Sequence, residues 1–227
     1  MNPLSLWWRD DDAGGDHPAL ARLLALAERL AVPLALAVIP ARLEPACARR
    51  IVAARDVRVL QHGIAHRDHA RPGERRIELG GDAPRTRLLR GLRAGRRRLA
   101  RVFGTRFLPV QVPPWNRIDP ALEACLPGLG YVAVSTEWRR RAPPVPGLRR
   151  VDVHIDAIRR EDGRVGPPAW LAAELEARLA AGHAGPLGLM THHRVMDVED
   201  FARLERFVRW LGTRVRWIHP CDLFAPP

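Results

Sequence analysis

Short apolar runs alternate along the chain with longer stretches in which apolar side chains return every three or four positions. LSLWW (4–8), LALAVI (34–39), VRVL (57–60), FLPVQV (107–112), YVAVS (131–135), RRVDVHI (149–155), LGLMT (187–191) and VRWI (215–218) have the length and character of strands. Helical periodicity covers about 17–30, 44–54, 86–102, 120–126, 168–181 and 198–211, with Pro opening two of these segments. Strand–helix alternation of this kind predicts an α/β fold with a mainly parallel sheet. The count suits an irregular (β/α) barrel of about seven parallel strands. No break in composition divides the chain, so residues 1–227 are expected to form a single domain.

Composition changes this picture little. At 227 residues with 47% apolar content, the chain can bury a substantial core. Its formal charge of +12 raises nucleic acid or an anionic membrane as a partner. Yet every basic residue is Arg, and the densest cluster, GLRAGRRRLARVFG (91–104), reads as the solvated face of a helix. No nucleic-acid motif accompanies it, so no nucleic-acid partner is expected. Cys47, Cys125 and Cys221 are widely spaced and make neither a C-x-x-C pair nor a disulfide framework. The sequence MNPLSLWW carries no charged-then-apolar leader, and LAVPLALAVIPA is too short to span a bilayer. A cytoplasmic protein without a transmembrane segment is expected; the oligomeric state is left open.

Chemistry-bearing side chains collect at the carboxyl ends of the predicted strands. Asp10, Asp11 and Asp12 follow the first, and His62 and His66 follow the third. Pro113, Pro114, Trp115 and Asn116 follow FLPVQV, while His192 and His193 follow LGLMT. Parallel barrels build their sites on this face. Spacing of four would set His62 and His66 on one side of a helical turn. Two imidazoles and a carboxylate would make a three-ligand site with open positions, suited to catalytic Zn2+ and to Fe2+ and similar ions. Three adjacent carboxylates repel one another, and a cation among them would relieve this.

DDDAG, HGIAH, VPPWN and MTHH, in that order over nearly the whole chain, resemble the motifs of the polysaccharide deacetylases of the NodB-homology type, carbohydrate esterase family four. The resemblance implies that Asp12, His62 and His66 hold a divalent metal, with Zn2+ the expected ion. It also implies that Asp11 is the general base and His192 the general acid. A register using Asp10 and Asp11 is the alternative. Pro114, Trp115 and Asn116 would border the substrate, a backbone N–H near Trp115 would face the oxyanion, and Asp10, Asp68, His69 and Arg117 would support the site. Val112 stands where the family's loop arginine supports the base, leaving Arg9 or Arg117 to replace it. Met190 stands for a leucine, His193 for an acidic residue, and Asp156 or Asp152 for the family's later aspartate.

The expected activity is metal-dependent removal of an acetyl group from an N-acetylated sugar or glycan, on a cytoplasmic intermediate. The arginine-rich surface is compatible with a phosphate-bearing or membrane-associated substrate. Hydrolysis of another amide or a cyclic imide is one alternative. A catalytically weak protein of this fold that binds a glycan or anionic partner is the other.

Overall fold

The computed structural model describes residues 3–140, 142–183 and 185–225. It realises the alternation as β1 (Leu4–Ala13), α1 (Pro18–Leu30), β2 (Leu34–Val38), α2 (Pro45–Ala53), β3 (Val57–His62), α3 (Arg85–Phe103) and β4 (Phe107–Val112). The second half continues with α4 (Pro120–Glu123), β5 (Ala133–Val134), β6 (Arg149–Arg150), β7 (Ile155–Asp156) and α5 (Pro168–Ala180). It ends with β8 (Leu187–Thr191), α6 (Val198–Leu211), β9 (Val215–Trp217) and α7 (Pro220–Leu223). Helix ends follow local chemistry. α1 starts at Pro18 with His17 accepting a bond from the Ala19 N–H, and α6 starts with a reciprocal Asp197–Asp200 capping box.

All strand pairs are parallel, in the order β6-β5-β4-β3-β2-β1-β8-β7, with β9 beside the first residues of β1. The two ends of this path are one stretch of chain. Residues 149–153 pair with β5 and the residues after it, and residues 154–157 pair with β8. The sheet therefore curls back on itself through a strand that changes partners midway. That change of partner breaks the expected strand at 149–155 into two short pieces. No described helix is long and apolar enough to cross a membrane, and all three cysteines are free.

Pleating sorts the side chains into two cores. Leu6, Trp8, Leu34, Leu36, Val57, Val59, Leu187 and Leu189 point outward and pack under the helices. Their alternates Trp7, Ala35, Ala37, Leu60, Val110, Val112 and Met190 fill the barrel, whose amino-terminal end is plugged by Leu223 and Phe224. Trp7 meets Phe224 edge-on at 5.6 Å. Small alanines on β2 leave room for that indole.

Across the β1–β8 ladder Trp7 lies opposite Gly188, and a Cβ there would fall 2.8 Å from the indole. Gly188→Ala should therefore lower stability by about 1–3 kcal/mol. A reduced urea midpoint with unchanged slope is the expected readout, and a wild-type midpoint would contradict this packing.

Candidate metal centre and the groups around it

The three aspartates lie inside β1, not beyond it, and the structure gives each carboxylate a different partner. Asp11 shares the inward face with Trp7 and Arg9. The buried Arg9 guanidinium meets it at two points, Nη2 donating to Oδ2 at 2.9 Å and Nε in ion-pair contact with Oδ1 at 2.9 Å. Asp10 faces the other way. It accepts from the Thr191 hydroxyl at 2.6 Å and the His193 N–H at 3.0 Å, and it meets His193 Nδ1 at 2.5 Å. The Thr191 hydroxyl in turn accepts from the Trp8 indole N–H at 2.9 Å. Simple pleating would send Asp12 outward with Asp10. Instead its φ of 72° and a register shift against β2 between Asp10 and Ala13 turn it to the barrel mouth. Asp tolerates this left-handed conformation better than most residues. Each carboxylate thus has its own neighbours: Arg9 for Asp11, Thr191 and His193 for Asp10, and His62 and His66 for Asp12.

Asp12 Oδ1 lies 3.2 Å from Nε2 of both His62 and His66. His62 is the last residue of β3, on the inward face with Leu60. Its Nδ1 is 3.0 Å from the Val112 carbonyl, which assigns the ring proton to Nδ1 and leaves the Nε2 lone pair for Asp12's side of the site. His66 arrives by a loop, not by the helical turn that its spacing predicts: Gly63 and His66 both have φ of 56°. Buried Glu78 holds this loop, accepting from the N–H groups of Ile64 (2.9 Å), Ala65 (2.7 Å) and Arg67 (3.1 Å).

Sequence reasoning missed Glu78, a lone acid in RRIELGG with no motif around it. Asp68 and His69 serve the same loop: Asp68 caps Ala70 and Ile77 N–H groups, and His69 Nδ1 meets the Glu78 carbonyl. The support for His62 comes from the Val112 carbonyl, and Asp10 is committed to His193.

One ligand atom from each of Asp12, His62 and His66 lies within 4.8 Å of the others. The buried Asp12 Oδ1 has no partner in hydrogen-bond geometry among the described residues, although two imidazole nitrogens flank it. Two imidazoles and a carboxylate converging on an orphaned oxygen fit a divalent cation. Burial opposes ionisation of Asp12, but contact with His62 and His66 outweighs it and holds the carboxyl far below the usual range. Burial pushes His62 down, yet Asp12 and the Asp11 charge outweigh this, and its pKa is raised.

Around the cluster, Pro114–Asn116 form a short 3-10 turn in which Trp115 and Asn116 both take φ of 55°. The Trp115 ring meets His66 edge-on at 4.5 Å, and Pro114 packs over Gly63. Asn116 Oδ1 accepts from Arg9 Nη2 at 2.8 Å; Arg9 Nη1 donates to the Ser135 hydroxyl at 2.8 Å and its carbonyl at 3.1 Å. Arg9, two residues before Asp11 on the same face of β1, is thus the guanidinium in contact with Asp11. Arg117 points elsewhere and bonds the Arg76 carbonyl at 2.9 Å. Half-buried His192 follows β8, close enough to Asp12 and Asp156 for their charges to interact. Burial raises the Asp156 carboxyl, partly countered by His192. Asp152 bonds Thr136 and lines a cavity with the N-terminal Ser5, away from this cluster.

A divalent ion titrated into the chelated protein should bind near-stoichiometrically, and Asp12→Ala, His62→Ala and His66→Ala should each weaken binding by well over tenfold. Because the raised His62 pKa means a proton must leave before that nitrogen can ligate, affinity should keep rising with pH above 6.5. Full ion content in all three variants would contradict the site.

No family model matches the sequence, and no curated protein does. Solved structures do match the fold. A family 4 acetyl xylan esterase from Clostridium thermocellum, in complex with a cobalt ion, superposes with a TM-score of 0.65 at 14% identity, covering 98% of this chain and 92% of that one. Peptidoglycan deacetylase PdaC from Bacillus subtilis gives 0.62 at 13% identity, covering 98% and 90%. A CE4 family pseudoenzyme from Bacillus anthracis gives 0.62 at 13% identity, covering 94% of this chain and 63% of that one. Similarity at this level concerns the fold, and the chain has the fold of the polysaccharide deacetylases and family 4 carbohydrate esterases.

Proposed function

We propose that this protein is a metal-dependent hydrolase that removes the acetyl group of an N-acetylated sugar. The observation that carries this reading is the meeting of Asp12, His62 and His66 with Asp11 and His192 at one barrel mouth. Because the fold is shared with a pseudoenzyme, these side chains and not the fold support an activity.

Asp12, His62 and His66 would hold the ion, Zn2+ by donor type, which when bound supplies Lewis acidity to the amide carbonyl and lowers the pKa of water. Asp11 takes a proton from the water whose oxygen attacks the acetyl carbon. Arg9, bidentate on Asp11 and anchored to Ser135 and Asn116, keeps that carboxylate aimed. A backbone N–H near Trp115, in the 3-10 turn of residues 114–116, is the donor for the developing oxyanion in this reading. His192 gives a proton to the nitrogen as the C–N bond breaks, so that acetate and the free amine leave. Trp115 also offers an apolar face to the sugar ring. Three free thiols suit a reducing compartment, and a cytoplasmic sugar intermediate is the substrate we infer.

Acetate release from a panel of N-acetyl amino sugars tests the proposal. Wild type should be active, while Asp11→Asn and His192→Ala should each lose about 10²-fold or more in kcat with the ion retained. Hydrolysis confined to cyclic imides would replace the substrate, and ion binding without turnover on any amide would leave only a binding role. Arg9→Lys cannot make the bidentate contact, so its kcat should fall with ion content unchanged; an unaltered kcat would remove Arg9 from the account.

A further inference from the structure

Beside the metal centre lies an open cleft of about 370 Å³ that the proposed reaction does not use. Asn116, which bonds Arg9, forms part of its wall, so the cleft begins at the edge of the site. Arg75, Arg117, Arg139, Arg140 and Arg160 line the rest, against a single carboxylate, Glu137. They come from four separate stretches: the loop after β3, the residue after the Trp115 turn, the segment after β5 and the loop after β7.

An arginine-rich composition does not by itself produce this convergence. Some arginines elsewhere pair with carboxylates, as in Arg29–Glu205, Arg50–Asp16, Arg71–Asp82 and Arg164–Asp200. Others, such as Arg93, Arg97 and Arg101 of α3, lie exposed along a single helix, whereas this cleft gathers its arginines from separate segments. Here Arg140 is fixed by Glu123 and the Ile118 carbonyl, and Arg160 is 3.8 Å from Glu137. Arg75, Arg117 and Arg139 have no carboxylate partner among the described residues. Arg117 is held against the Arg76 carbonyl. Burial, then the charges of Arg75 and Arg160, lower its pKa, and Glu137 and Asp68 offset this only in part.

We propose that this cleft binds the phosphate of an N-acetylated sugar phosphate, placing the sugar's acetamido group at the Asp12–His62–His66 centre. The inference rests on the deacetylase reading and narrows its substrate class. A phosphate monoester carries close to two negative charges at neutral pH and several acceptor oxygens, matching several planar donors better than one carboxylate does. Nucleotide-linked and lipid-linked sugars instead carry a diphosphate diester, with one negative charge on each phosphorus and acceptor oxygens for the same donors.

The test compares N-acetylglucosamine with N-acetylglucosamine 1-phosphate, in acetate release and in calorimetric binding, for wild type and an Arg75→Gln/Arg139→Gln variant. Both substituted residues are exposed and outside the catalytic groups. The phosphate should raise kcat/KM and affinity by about tenfold or more in wild type. The variant should lose that gain and keep the rate on the neutral sugar. Equal treatment of both sugars, with acetate released from each, overturns the phosphate subsite and leaves the deacetylase reading standing. Arginine-dependent phosphate binding with no acetate released from any sugar upholds the subsite and overturns the reaction. UDP-N-acetylglucosamine and polyprenyl-diphosphate N-acetylglucosamine in phosphatidylcholine vesicles form two further arms, and the better substrate identifies the source of the phosphate.

Discussion

A guanidinium with no exposed surface sits near the mouth of this barrel, and the site is organised around its need for partners. Arg9 cannot be buried alone, because desolvating an unpaired charge costs far more than a fold can offset. It answers with Asp11 in bidentate contact, with Ser135 beyond β5, and with Asn116 in the turn beyond β4. Those bonds connect the central strand to two distant segments and set where the Trp115 turn lies relative to Asp11. Removing either partner would strand the other, a loss of about 3–5 kcal/mol for buried pairs. Proposed catalytic geometry and local stability therefore share the same bonds.

With Asp11 committed to Arg9 and Asp10 to His193, only Asp12 is free to approach the histidines. The backbone makes that approach by leaving the pleat, at a φ of 72°. Among the described residues, four of the six non-glycine positions with positive φ, Asp12, His66, Trp115 and Asn116, belong to this mouth. Strain concentrated around one cluster of ligand-type side chains is how folded proteins hold a site ready, with stability supplied by the two apolar layers beneath.

Much of this was legible in the sequence, for physical reasons. Helix spans such as 198–211 and strands such as 187–191 follow from amphipathic or apolar periodicity that tertiary contacts merely reinforce. The curled parallel sheet followed from the alternation, and the strand ends collected the polar motifs. What escaped the sequence is whatever depends on partners distant along the chain. β1 runs on through DDD because neighbours β2 and β8 pair with it there, although acidic residues are poor strand formers. Arg9 and Arg117 are equivalent choices until the pleat of β1 sets Arg9 on the face of Asp11. His62 and His66 meet through a loop tied to Glu78, a residue that no motif marks.

Diffraction from crystals soaked in Zn2+, recorded on both sides of the zinc absorption edge, tests the central claim most directly. The account predicts one strong anomalous peak bounded by Asp12 Oδ1, His62 Nε2 and His66 Nε2, with Asp11 still on Arg9 and Asp10 still on His193. A peak on Asp10 or Asp11 would overturn the assignment of the three carboxylates. An empty map at the barrel mouth would contradict the metal centre itself.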